Sequence, residues 1–146
     1  MKPLFSLTLG LLLAGQLAAA EGAWLTDLPK AQAQAKADKK HVLLDFTGSD
    51  WCPPCISLHK NVFSKPEFEK FAKEHLVLVE LDFPRSKPQS DDLKAANKAL
   101  QKKYEITGYP TVIILDADGK QVFKKVGYGG QDAAKYIAEL EQALKK

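Results

Sequence analysis

Cys52 and Cys55 are the only two cysteines of this 146-residue chain, and they stand two prolines apart in the run Asp45-Phe46-Thr47-Gly48-Ser49-Asp50-Trp51-Cys52-Pro53-Pro54-Cys55. A structural disulfide stabilises mainly by closing a long loop in the unfolded chain, and a pair enclosing two residues closes almost none. Stapling is therefore a poor use of this pair. Thiol exchange at the start of a helix is a good one, because aligned peptide dipoles and free backbone N–H groups favour a thiolate there. Cys52, nearer the helix N-terminus, is the expected nucleophile. Cys55 is the expected resolving thiol and should be the less exposed of the two.

The intervening residues tune that chemistry. Pro53 and Pro54 carry no N–H, which leaves the amide of Cys55 as the main-chain donor to the Cys52 sulfur. A thiolate stabilised so sparingly belongs to a less oxidising disulfide. A residue before proline avoids helical geometry, so Cys52 and Pro53 are expected outside the helix, which should start near Pro54. The proton of Cys55 needs an acceptor. Asp45 lies in an apolar run seven residues before Cys52, and burial there would raise its pKa toward the working range of a general base. Trp51, beside Cys52, is expected to frame a substrate groove. His59 stands one helical turn beyond Cys55 and is read as a surface residue. His41 and His75 lie in other elements, so no metal site is expected, and Ile56 occupies the position that covalent haem attachment reserves for histidine. No cofactor is implied.

These residues need a scaffold, and the flanking sequence supplies one. His41 to Thr47 and Leu76 to Phe83 are nearly continuous apolar runs, as in strands buried on both faces, and Thr111 to Leu115 is a third. Asp116-Ala117-Asp118-Gly119 reads as a hairpin turn leading to a partner strand, Gln121 to Val126. Helices are predicted over Leu28–Lys39 with Asp27 as N-cap, Ile56–Val62, Pro66–Glu74, Asp91–Lys103 and Gln131–Leu144. Leu93, Ala96, Ala99 and Leu100 should face inward from the fourth, and Ala134, Ile137, Leu140 and Leu144 from the fifth. Glu21 to Thr26 is expected to form a short leading strand. The order is β-α-β-α-β-α-β-β-α, which implies an α/β fold with a mixed central β-sheet and helices on both faces.

The ends and the charge bound the setting. Residues 1–20 have the makings of a signal peptide: Lys2, an apolar stretch Leu4 to Leu17, and Ala18-Ala19-Ala20 before Glu21. The stretch is short for a span of roughly 20 residues. Residues 21–146 then form one domain, exported by the general secretory route to a periplasmic or other extracytoplasmic compartment. A net charge of +3 with dispersed lysines gives no reason to expect nucleic acid.

Together, Trp51-Cys52-Pro53-Pro54-Cys55, the preceding Asp45-Phe46, and Gly108-Tyr109-Pro110-Thr111 at the third strong strand resemble the thioredoxin superfamily over residues 21–146. The resemblance implies a three-layer thioredoxin-like fold and a thiol–disulfide oxidoreductase. It also implies a cis Tyr109–Pro110 bond facing the cysteines, with the backbone of Tyr109 presented to an extended substrate. In one departure, the link from Asp45 to Cys52 is one residue longer than in typical thioredoxins, and Gly48-Ser49-Asp50 is expected to absorb the extra residue as a bulge. The expected partners are client proteins with disulfides and a thiol carrier, in the membrane or outside it, that resets the pair. The chain is expected to act as a monomer. The span from Cys55 to Pro110 leaves no room for the helical domain that strong exported oxidases insert, and the chain lacks the dimerisation domain of exported isomerases, so reduction is the favoured direction. Other readings are an exported oxidase or isomerase, a specialised reductase for cytochrome maturation, a thioredoxin-fold binding module, and a metal carrier.

Overall fold

The computed structural model describes residues 23–145. The expected signal peptide and the first residues of the expected leading strand lie outside them. The elements are α1 (Leu28–Asp38), β1 (His41–Thr47), α2 (Pro53–Leu58), a π-helical turn (His59–Phe63), α3 (Pro66–His75), β2 (Leu76–Asp82), α4 (Asp91–Lys103), β3 (Thr111–Leu115), β4 (Gln121–Val126) and α5 (Ala133–Leu144). The strands lie in the order β2-β1-β3-β4. β1 runs parallel to β2 and antiparallel to β3, and β3 pairs antiparallel with β4. The sheet is therefore mixed, as the order of elements implies.

Alternation along the strands divides the core into two layers. Leu43, Leu78, Val112 and Ile114 project from one face into a cluster with Leu58 of α2, Val62 and Phe63 of the π-turn, Phe68 and Phe71 of α3, and Tyr136 and Leu140 of α5. Val42, Leu44, Phe46, Val79 and Ile113 project from the other face, against Leu28, Ala31 and Ala35 of α1 and the partly buried Leu100 of α4. Both faces of β1 are thus covered, which is why its sequence is apolar throughout.

Helix ends follow local chemistry. Asp27, Ser90 and Asp132 cap α1, α4 and α5 by accepting hydrogen bonds from Lys30, Leu93 and Lys135. Several boundaries differ from expectation. The leading strand is reduced to a single bridge, in which Leu25 pairs with Leu78 and Glu80 through two backbone hydrogen bonds of 2.8 Å each. The second helix continues through Phe63 by widening into the π-turn, where the Ser64 N–H reaches the His59 carbonyl five residues back. α5 buries Ala133, Tyr136, Leu140 and Ala143, and Ile137 and Leu144 pack partly buried against the same cluster as expected, but Ala134 is exposed. α4 leaves Ala96 and Ala99 exposed and buries Asn97 instead, whose amide donates to the Asp82 carbonyl at 3.0 Å. A polar residue with a backbone partner takes the place that a search for apolar periodicity assigns to alanine.

Leu43, on the central strand, is fully buried. Leu43→Ala is expected to cost roughly 2 to 5 kcal/mol of stability, read from urea unfolding midpoints at an unchanged slope.

Candidate active site

β1 delivers the chain to the site. Beyond Thr47 the chain turns through Gly48, Ser49, Asp50 and Trp51, and the Cys52 N–H donates back to the Gly48 carbonyl at 2.9 Å. The β1–β2 register runs unbroken from His41 opposite Leu76 to Thr47 opposite Asp82. The longer link is therefore taken up in a turn beyond the ladder, not in a bulge of it.

Cys52 has extended geometry (φ −99°, ψ 102°) and caps α2. Its carbonyl accepts from the Ile56 N–H at 3.0 Å and closes the first turn. The helix starts at Pro53, one residue earlier than expected. At the first two helical positions the N–H groups are orphans in any case, so two prolines fit there at little cost. Cys52 and Cys55 are joined in a disulfide with Cα atoms 5.3 Å apart. The two residues are equally buried, at 3% and 4% exposure, which corrects the expectation that Cys55 is the more hidden. The closed bond holds both side chains over the same helical turn. Ile56, next in sequence, is 47% exposed and offers an apolar edge beside the disulfide.

The turn is held by the segment after β2. Ser49 donates to the Asp82 carboxylate from its backbone N–H at 2.9 Å and from its hydroxyl at 2.6 Å. Asp50 accepts from the backbone N–H groups of Arg85, Ser86 and Lys87 at 3.0, 2.7 and 3.0 Å, and these bonds hold its carboxyl below the usual carboxylate range. The Trp51 indole donates to the Phe83 carbonyl at 2.7 Å, and the Arg85 guanidinium lies 4.0 Å above its ring. A Cβ on Gly48 would stand 2.4 Å from the Trp51 ring, so the indole folds over the turn only because residue 48 is glycine.

Tyr109 joins this wall. Its ring meets Trp51 edge-on at 5.7 Å and Phe83 at 5.4 Å. Its hydroxyl accepts from the Gln101 amide, and burial pushes its pKa up. The Tyr109–Pro110 bond is cis, as the resemblance implies, and Pro110 is buried at the head of β3. The structure thus brings Tyr109 against Trp51, the residue that precedes Cys52. Phe83, Asp82, Asp50 and Arg85 complete the wall. Sequence reading missed all four, because their roles arise from contacts between segments more than 30 residues apart.

Asp45 is on the same face of β1 as Leu43, the face that α2 and the π-turn cover. It is 5% exposed, and its Oδ1 is buried without a hydrogen-bond partner. Burial first, then the charges of Glu80 and Asp82, push its pKa from 3.8 up to about 8. Glu80 is opposite Asp45 in the ladder. Its own pKa is raised by burial and by Asp82, against the opposing pull of His59 and Lys87. His59 itself is exposed and shares a hydrogen bond of 3.0 Å with the Ser64 hydroxyl.

A sheet strand that leads through a short turn into Trp-Cys-x-x-Cys, a helix capped by the first cysteine and a cis-proline strand beside it define a thioredoxin-type redox domain. The sequence model of the thioredoxin-like domain matches residues 28–144, and the chain belongs to the thioredoxin superfamily. It is 36% identical over 129 residues to the disulfide bond reductase DsbH of Chlamydia pneumoniae, covering 88% of this chain and 76% of that protein. A solved structure titled DsbH oxidoreductase superposes with a TM-score of 0.79 at 34% identity, over 93% of each chain. The thiol:disulfide interchange protein DsbD of Cronobacter sakazakii is 34% identical over 123 residues, 84% of this chain but 20% of that longer protein. With the Cys52–Cys55 dithiol in place, the protein is a protein thiol–disulfide oxidoreductase.

Two outcomes follow from this geometry. Gly48→Ala should force the Trp51 indole off the turn and break its bond to Phe83, seen as a shift of the Trp51 indole N–H resonance with a stability loss of about 1 to 3 kcal/mol. Asp45, with its raised pKa, keeps a proton in the folded state that the unfolded chain releases. Its contribution to stability is fully present below about pH 4 and is lost progressively as pH rises to about 8. Asp45→Asn should remove that decline and stabilise the protein at pH 7, by an amount on the order of 1 to 4 kcal/mol, measured as the difference in unfolding free energy across pH.

Proposed function

We propose that the protein reduces disulfides of client proteins outside the cytoplasm, with Cys52 as nucleophile, Cys55 as resolving thiol and Asp45 as proton acceptor. In the reduced protein the Cys52 thiolate attacks a client disulfide, forming a mixed disulfide and expelling one client thiolate. Cys55 gives its proton to the Asp45 carboxylate and attacks the Cys52 sulfur. The client's second thiolate leaves, the Cys52–Cys55 bond closes, and two electrons have passed to the client. The second client thiolate takes its proton from solvent, and Asp45 keeps the proton of Cys55. A thiol carrier then attacks the closed disulfide at Cys52, and Asp45, protonated in the oxidised form, supplies the proton that the departing Cys55 sulfur needs. Trp51, Tyr109 and the strand entered at Pro110 form the wall against which an extended client segment lies.

The observation that carries this reading is the Cys52–Cys55 disulfide at the start of a helix that covers the sheet face holding the buried Asp45 carboxyl. Its direction is supported by the two prolines, which leave the Cys52 sulfur without amide donors at positions 53 and 54. It is supported as well by the likeness to a protein named a disulfide bond reductase over three quarters of that protein's length. The extracytoplasmic setting rests on the sequence features of residues 1–20. Among the described residues, no helix is long and apolar enough to cross a membrane.

Equilibration of the full chain with glutathione buffers should give a potential near that of thioredoxin, about −270 mV, and a value near −120 mV would instead mark a dedicated oxidase. Cys52→Ser should abolish reduction of a protein disulfide substrate. Cys55→Ser should accumulate the mixed disulfide, visible by mass spectrometry. A Cys52→Ser protein with undiminished activity would overturn the assignment.

A further inference from the structure

Glu80 has an unusual neighbour. Across the β1–β2 ladder it stands directly opposite Asp45, and neighbouring strands lie about 4.8 Å apart. Alternation puts Glu80 on the same sheet face as Leu78, whose side chain is in the cluster under α2 and α3. Two carboxyl groups therefore lie side by side on the covered face, one fully buried and one half-buried. Asp82 follows on the same face, but its carboxylate is engaged by Ser49. No lysine or arginine is in the ladder beside Asp45: its partner on the β3 side is Val112. The other titratable groups on this face are His59 from the π-turn, Lys87 from the segment after β2, Tyr136 and Glu139 from α5, and Lys125 of β4, which stands beyond Val112 and is paired with Glu139. The Tyr136 hydroxyl is buried without a hydrogen-bond partner, so it supplies no bond to the Asp45 carboxyl. Two like charges at this separation in an apolar layer do not both ionise readily, so one proton stays on the pair, and burial puts it on Asp45.

We propose that Glu80 is a positioning residue for the redox proton: its carboxylate, paired across the ladder with Asp45, keeps a proton on that buried carboxyl and so sets the pH at which Asp45 is free to accept the proton of Cys55. This rests on the assignment of Asp45 as the proton acceptor. Glu80 acts through the charge it presents to its neighbour, and removing that charge changes when Asp45 ionises without changing which atoms react.

The test is a carbon-13 carboxyl titration of the full-length oxidised protein by NMR, together with the pH profile for release of a client from the Cys52 mixed disulfide. Wild type is compared with Glu80→Gln and Glu80→Lys, so that one poorly folding variant does not end the experiment. The Asp45 resonance should titrate near 8 in the wild type. It should move down by about one unit in Glu80→Gln and further in Glu80→Lys. The inflection of the release profile should follow it, and Asp45→Asn should lose that inflection altogether. An Asp45 midpoint unchanged in both variants overturns the proposal, and so does a midpoint that moves while the release profile stays fixed. The readouts also separate this inference from the reading beneath it. An Asp45→Asn protein whose release profile matches wild type would remove Asp45 as the acceptor, whereas a profile that depends on Asp45 but not on residue 80 removes only Glu80.

Discussion

A carboxyl group held in an apolar layer without a basic partner is costly, and the architecture of this protein is arranged around keeping one there. Asp45 is in the central strand, fourth of the five residues of β1 that pair on both sides, with β2 and β3 as neighbours. A strand covered on both faces cannot turn a polar side chain toward bulk water. The group responds by keeping its proton, and a carboxylic acid with a pKa of about 8 is the result. The cost is stability at neutral pH, and the pKa it leaves lies in the range where thiols titrate. The same face is roofed by the helix that starts at the redox pair, so the costly group and the reactive one share a layer.

The second constraint is mechanical. A thiol that exchanges partners must be reachable yet held at a fixed place, and a four-residue turn leading into a helix is not rigid by itself. Here the turn is tied to the segment after β2 by carboxylates used as backbone acceptors. Asp82 takes two bonds from Ser49, and Asp50 takes three from Arg85, Ser86 and Lys87. Each acid reaches from one segment to the other, so the two loops brace each other reciprocally. Trp51 is fixed by its indole bond to Phe83, by Arg85 above and by Tyr109 at its edge. The wall beside Cys52 is thereby a rigid surface made from three separate parts of the chain.

How much of this was legible in the sequence follows from what each feature depends on. The three buried strands were plain, because burial on both faces writes itself as an unbroken apolar run. The redox pair was plain because Cys-x-x-Cys after a strand has few other uses. The inward faces of α4 and α5 were legible in Leu100, Ile137, Leu140 and Leu144 but incomplete: Asn97 and Tyr136 are inward too, and a search for aliphatic residues at helical spacing passes over both. Glu80 and Asp82 interrupt the apolar run of β2 at the same alternation as Leu78, but the place of Glu80 opposite Asp45 depends on the register of a parallel pair. Nothing local sets that register. Asp50 and Arg85 were illegible in a stronger sense, because each acts on the backbone or ring of a residue more than 30 positions away.

The two prolines between the cysteines tie these threads together. In a helix start the first N–H groups have no partner within the helix, and they are the natural donors to a sulfur anion at the cap. Filling the first two positions with proline removes those donors while leaving the dipoles of later peptide units in place. The thiolate of Cys52 is then favoured by field more than by hydrogen bonds, and a disulfide whose reduced form is weakly stabilised is a poor oxidant. On the proposed mechanism the buried acid works in the same direction at the other sulfur: once it has given its proton to Cys55, the carboxylate left behind disfavours a negative charge there. Cap and carboxyl both act, on that mechanism, on the charge of the reduced pair, and through it on which way electrons flow.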